Sequence, residues 1–201
     1  MLFRSQDNAI EEALGHLVGD GFKPEGLTEE LGARWEITRN YFRLYACCNP
    51  VHPALDVLAE ALAELKPKPE EIERVDFATY RFASVMRNPA PPNFFASKYS
   101  LPHAAAVMIV RGKADHFAID DSALADPAIA ALRARVSMVE DPAMSAVAPR
   151  LRPARVTLTL KDGRSATRAC ESHRGDFNRP FAESELRAKF RALAGVVLTA
   201  E

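Results

Sequence analysis

The sequence predicts an α+β fold: a two-layer sandwich in which an antiparallel sheet carries helices on one face. Three stretches predict it. Residues 155–160 and 165–170 alternate apolar with polar side chains around Asp162-Gly163, the strongest short hairpin signal. Residues 71–82 alternate in the same way, with Val75, Phe77 and Thr79 set against Arg74, Asp76 and Ala78. Leu55, Leu58, Leu62 and Leu65 recur at spacings of three, four and three, which lays one stripe along a helix. Strands and helices that follow one another without strict alternation belong to α+β architecture.

In chain order, Ile10, Leu14, Leu17 and Val18 share one helical face, and the glycines at 19 and 21 end that helix. Residues 27–31 read as a further short turn, and Trp35 with Ile37 as a short extended piece. Pro53 suits the first position of the leucine helix, because it lacks the N–H that has no partner there. The prolines of LKPKPEE break that helix and mark a boundary, giving a helical segment at 1–66 and an α+β domain at 70–201. Residues 88–93 form a proline-rich loop. Residues 100–111 form the next helix, with Pro102 at its start and Gly112 at its end; apolar on all sides, it should be buried. Asp126-Pro127 is an N-cap followed by an N1 proline and opens a helix to about Arg133. Residues 135–140 read as a strand ended by Asp141-Pro142, and residues 182–194 as a helix aligning Leu186, Phe190 and Leu193.

Hydrophobic content of 48% over 201 residues is enough for a real core, so one large domain or two small ones is expected. A net charge of −1 gives no nucleic-acid footprint. Three cysteines, two of them adjacent, build no disulfide framework and point to a reducing compartment. The start MLFRSQDN has no apolar signal region, and the longest apolar run, 104–110, is far too short for a bilayer. The expectation is a soluble cytoplasmic protein with no membrane or nucleic-acid partner.

The densest chemistry lies just before the leucine helix: Arg43, Tyr45, Cys47, Cys48, Asn49 and His52 fall within ten residues. The free N–H groups and positive dipole end of a helix start suit a carboxylate or phosphate there. The run YFRLYACCNPVHPALD resembles the central signature of the MmgE/PrpD family. Tyr99-Ser-Leu-Pro-His-Ala-Ala-Ala, Val156-Thr-Leu-Thr-Leu-Lys-Asp-Gly-Arg164, Arg174-Gly-Asp176 and Glu185-Leu-Arg-Ala-Lys-Phe190 resemble later parts of it, in order from about residue 40 to 195.

The resemblance implies the C-terminal portion of a lyase that acts on a small di- or tricarboxylate with no metal or organic cofactor. Family activities include 2-methylcitrate dehydration, cis-aconitate decarboxylation and iminodisuccinate epimerisation, and a 2-methylcitrate dehydratase-like hydro-lyase is the reading taken here. Residues 1–66 would then be the remnant of a larger helical domain that supplies further catalytic residues, including the base. The isolated chain is expected to be inactive. The stripes of Ile10, Leu14, Leu17, Leu55, Leu58 and Leu62 are expected to lie exposed, for a homodimer or a separate helical subunit to cover. The competing reading is a non-catalytic α+β module kept for dimerisation or for complementing a split enzyme.

Arg43 stands where several family members have Lys. A guanidinium does not deprotonate in a protein, and its fork suits gripping a substrate carboxylate. His52, just outside a helix start, is the candidate for proton transfer or positioning, against the plainer reading of a helix cap. Ser100 and His103 are secondary substrate contacts at a second helix start, His103 standing where the family often has Tyr. Cys47 and Cys48 lack the gap that lets two thiolates share a zinc ion and read as packing residues. Arg174-Gly175-Asp176 reads as a turn with no chemistry.

Overall fold

Residues 9–17 and 19–198 are described in the computed structural model, Leu14 by its backbone alone. The chain divides into two units between Asn40 and Tyr41. In the first, a helical turn at Glu11–His16 precedes 3₁₀ turns at Pro24–Leu27 and Glu36–Arg39. The extended piece expected at Trp35 and Ile37 is therefore a tight turn. Thr38 Oγ1 donates to the Trp35 carbonyl at 2.7 Å, and no strand lies among the described residues of this unit. Of the first predicted stripe, Ile10 and Leu17 are exposed; Val18 and the Leu14 side chain lie outside the described residues.

The second unit begins its regular structure with α1 (His52–Leu65), then β1 (Ile72–Thr79), α2 (Arg81–Ser84), α3 (Phe94–Ser97), α4 (Leu101–Arg111) and α5 (Asp121–Ala125). It continues through α6 (Pro127–Arg133), β2 (Val136–Glu140), α7 (Pro142–Val147), β3 (Ala154–Leu160), β4 (Ser165–Cys170) and α8 (Glu183–Ala194). The strand order is β2-β1-β3-β4. Pairs β1/β3 and β3/β4 are antiparallel, but β1/β2 is parallel, from Val75 opposite Val136 to Thr79 opposite Glu140. The α+β class holds, while the sheet is mixed rather than purely antiparallel. The reason lies in the connection: helices α2 to α6 intervene between β1 and β2, and only so long a crossover permits parallel pairing.

Alternation sorts the two sheet faces. Val156, Leu158 and Leu160 are buried with Ile72, Val75 and Phe77, and a register shift between Ile72 and Arg74 lets two residues three apart both point inward. The other face is polar: Ser137 Oγ donates to Asp76 at 2.7 Å, and Thr157 and Thr167 share a hydrogen bond of 3.1 Å. Helix α1 lies on β3 and β4, with Leu55 and Leu58 fully buried. The expected exposure of its leucine stripe is overturned here, because this chain's own sheet supplies the apolar face that covers it. Helix α4 is buried throughout 101–108, as its composition requires.

The local signals land where they should. Gly163 takes φ +89° in the β3–β4 turn, a conformation natural to glycine. Asp126 caps α6, its Oδ1 accepting from Ala128 N at 2.8 Å and Ile129 N at 3.3 Å. Asp126→Ala is expected to destabilise the fold by about 1 kcal/mol. Urea midpoints at constant m-value check it, and Asp126→Asn should recover most of the loss. Among the described residues, no helix is long and apolar enough to cross a membrane.

Candidate carboxylate-binding site

Residues 41–48 are stitched into place by backbone bonds to three loops. Phe42 N donates to Gly175 O at 2.9 Å, Ala46 N to Ala114 O at 2.9 Å, and Cys48 N to Lys98 O at 2.8 Å. A 3₁₀ turn at Asn49–Val51 then leads into α1. Gly175 takes φ +91°, and a Cβ built there would sit 2.5 Å from the Phe42 carbonyl oxygen and run into the Phe181 ring. Arg174-Gly175-Asp176 is thus more than a turn, since it pins the segment that carries Arg43. Gly175→Ala is expected to cost about 2 kcal/mol or more, from strained backbone and displaced ring together. Thermal unfolding reads it; an unchanged midpoint would mean that this junction yields freely.

Beside this segment lies a cavity of about 880 Å³. Arg43, Arg81 and Arg152 line it, with Tyr41, Tyr80 and Tyr99, and among the described residues no Asp or Glu does. None of the three arginines has an ion-pair partner among the described residues. Two of them meet the Tyr41 ring, the Arg43 guanidinium carbon 5.1 Å and that of Arg152 5.5 Å from its centroid. Arg43 Nη2 donates to Tyr41 Oη at 2.8 Å, while Lys189 Nζ donates to the Arg43 carbonyl. An aromatic face holds a guanidinium by cation–π attraction without neutralising it. Asn49 also lines the cavity; it is buried, and its Oδ1 has no hydrogen-bond partner among the described residues.

The other sequence candidates lie elsewhere. His52 is buried outside the cavity lining; its Nε2–H donates to the Cys47 carbonyl at 3.1 Å, and the rings of Tyr45 and His173 meet it edge-on. Burial pushes its pKa down to about 3. Ser100 Oγ caps α4, donating to the Asn88 carbonyl at 2.5 Å and accepting from His103 N at 3.1 Å. Leu101 N donates to Met86 O at 2.9 Å, so the first-turn N–H groups of α4 already have acceptors inside the protein. His103 is buried, and burial followed by the Arg133 charge lowers its pKa to about 4. The structure therefore brings Arg43 to the cavity and places His52, Ser100 and His103 in the interior.

Cys47 is buried and Cys48 lines the cavity, and burial raises both thiol pKa values. No group of three or more His, Cys, Asp or Glu side chains is placed to hold a metal ion among the described residues.

Three histidines depressed by burial, His52, His103 and His173, set a pH dependence. All take up a proton near pH 6.5 when unfolded, but His52 only near 3 and His103 only near 4 when folded. Between these limits the unfolded chain binds more protons, so stability is complete above about pH 6.5 and falls on acidification. The expected loss is up to about 1.4 kcal/mol per pH unit for each histidine. Urea unfolding at pH 7 and pH 5 measures it, and equal stabilities would exclude neutral buried imidazoles.

Arg81, Arg152 and Tyr41 were not singled out in the sequence, and neither was His173. His173 is fully buried edge-on to Tyr41 at 5.5 Å, with neither ring nitrogen hydrogen-bonded among the described residues. Its only local signal is its place directly before Arg174-Gly175.

The curated cis-aconitate decarboxylase of Aspergillus terreus is 26% identical to this chain over 191 residues, covering 88% of this chain and 38% of that protein. The chain thus spans well under half the length of that relative. The MmgE/PrpD C-terminal domain matches residues 45–201, which include α1 and all four strands and begin two residues after Arg43, and the chain belongs to the MmgE/PrpD family.

Proposed function

We propose that this chain is the C-terminal part of a cofactor-independent lyase that acts on a small di- or tricarboxylate as a 2-methylcitrate dehydratase-like hydro-lyase. The observation that carries the reading is one cavity with three guanidiniums that have no ion-pair partner and no carboxylate beside them among the described residues. Each guanidinium can fork onto one carboxylate, and three match the charge of a tricarboxylate. Removing a proton next to a carboxylate moves negative charge onto its oxygens, and a fixed guanidinium stabilises that charge as it develops. Arg43 is assigned this clamp. The Asn49 amide is suited to hydrogen-bond a substrate hydroxyl, the group a dehydratase expels, which favours dehydration over decarboxylation.

Among the described residues the lining offers no carboxylate or imidazole to take the proton. In this reading the base comes from a helical part of the enzyme, for which the greater length of the decarboxylase relative leaves room. The partner is then a separate helical subunit or a second copy of the chain, and the reaction runs in the cytoplasm. The same lack of a base supports the second reading, a carboxylate-binding module that complements a split enzyme.

Calorimetric titration of the purified chain with tricarballylate, an unreactive tricarboxylate, tests the binding reading. Binding that weakens as salt rises is expected, and no heat at low salt would refute it. Turnover of 2-methylcitrate by the chain alone should be negligible; efficient turnover would mean that the base lies within these residues.

A further inference from the structure

Tyr80 follows the last residue of β1 and opens α2 with its main chain, its carbonyl accepting from Ala83 N at 3.1 Å and Ser84 N at 3.0 Å. Both of its neighbours are tied down. Thr79 Oγ1 donates to the Pro153 carbonyl at 2.8 Å, and Arg81 N donates to Ser145 Oγ at 2.9 Å. The Tyr80 side chain therefore starts from a fixed point. It lines the cavity of the three arginines, and only 5% of the residue is exposed.

Its hydroxyl has nothing inside the protein to bond. Tyr45 Oη donates to Asp56 at 2.8 Å and Tyr41 Oη accepts from Arg43 at 2.8 Å, but Tyr80 Oη meets no hydrogen-bond partner among the described residues. A buried tyrosine hydroxyl ordinarily has one. That oxygen is not sealed off either, so its partner has to come from the cavity the residue borders. Burial pushes the Tyr80 pKa up to about 12, against the pull of the Arg152 charge, and the phenol keeps its proton throughout the working range. It is a permanent donor.

Helix α2 packs against the turn that starts at Asn49. A donor, the Tyr80 hydroxyl, and an acceptor, Asn49 Oδ1, thus border one cavity from two packed elements. A carboxylate only accepts, which suits it to the guanidiniums and not to Asn49 Oδ1; a hydroxyl accepts and donates at once. We propose that Tyr80 is a specificity-determining residue that reads the hydroxyl of a hydroxy-polycarboxylate, donating a hydrogen bond to its oxygen while that hydroxyl donates to Asn49 Oδ1. The inference rests on the carboxylate-binding reading of the cavity and adds the residue that sets its selectivity. A site with a donor and an acceptor for one hydroxyl rejects the analogue that lacks it, because both groups are then left unpaired.

Calorimetric titration of the full chain with citrate and with tricarballylate, which differ by that one hydroxyl, tests the proposal. The buffer is free of divalent cations and at a pH where both acids are fully ionised. Citrate should bind about tenfold more tightly. Tyr80→Phe, which keeps the ring and removes the oxygen, should erase the preference by weakening citrate alone. Its tricarballylate affinity and thermal midpoint should match the parent's. A preference that survives Tyr80→Phe, or a variant that weakens both acids alike, overturns the assignment. A lowered midpoint also overturns it, as the mark of a hydroxyl bonded within the fold. Equal binding of the two acids by the unaltered chain overturns it without any variant and leaves the carboxylate reading standing. Binding of neither acid at low salt overturns both.

Discussion

Leu58→Ala is expected to destabilise the chain by about 3 kcal/mol, within the range of about 2–5 kcal/mol for a buried leucine truncated in a core that relaxes only partly. Leu58 is fully buried on the face of α1 that covers β3 and β4. Set against a typical total stability of about 5–15 kcal/mol, the loss is large. For a domain of this size it corresponds to a midpoint lowered by about 6–12 °C. Leu62→Ala should cost less, because Leu62 is only partly buried against the same core. Calorimetry on the two variants gives the ordering. A Leu58→Ala midpoint within a degree or two of the parent would mean that α1 does not close the sheet, and would return the leucine stripe to a partner.

Arg43→Ala and Arg152→Ala carry the largest expected effect on binding. A truncated partner of a desolvated carboxylate costs on the order of 2–5 kcal/mol. In the isolated chain Arg43 is exposed, so solvent screens the contact and the low end, near a thirtyfold loss in tricarballylate affinity, is expected. Arg43→Lys should keep part of the affinity through charge alone and lose the two-pronged grip. Because a guanidinium stays protonated throughout the working range, none of the pH dependence of binding between about 5 and 9 should disappear with Arg43. Titrations of the three variants settle the assignment. Affinities equal to the parent's in both alanine variants would remove this cavity as the carboxylate site.

What the sequence disclosed is what local chemistry controls. Asp162-Gly163 specifies a turn by itself, Asp126-Pro127 opens a helix by itself, and Ser100 with Gly112 bounds α4 whatever surrounds it. The parallel pairing of β2 was not legible, because it depends on where the α2–α6 crossover returns rather than on any feature of residues 136–140. The cavity was legible only through Arg43. Arg81 falls where strand alternation appeared to continue, and it reaches the site because the chain turns into α2 after Thr79. Arg152 sits in the irregular link before β3, where no periodicity marks it. Ser100 and His103 stood at a plausible anion-binding helix start. Their local bonding is fixed by the Met86 and Asn88 carbonyls and by Arg133, none of which spacing could have joined to them.

The position of β1 also governs the order in which the molecule can be made. It is a central strand, yet it leaves the ribosome before every strand it pairs with. Ile72 must wait for Leu160, and Val75 for Val136. Until then the nascent chain presents an unpaired strand with two open edges and an inward face of Ile72, Val75 and Phe77, the kind of surface that chaperones bind and neighbouring polysomal chains can adhere to. The β3–β4 hairpin closes locally and fast, whereas docking it onto β1 must bear the closure entropy of the whole intervening chain. Emergence of residues 136–160, rather than formation of any helix, therefore triggers the assembly of the sheet.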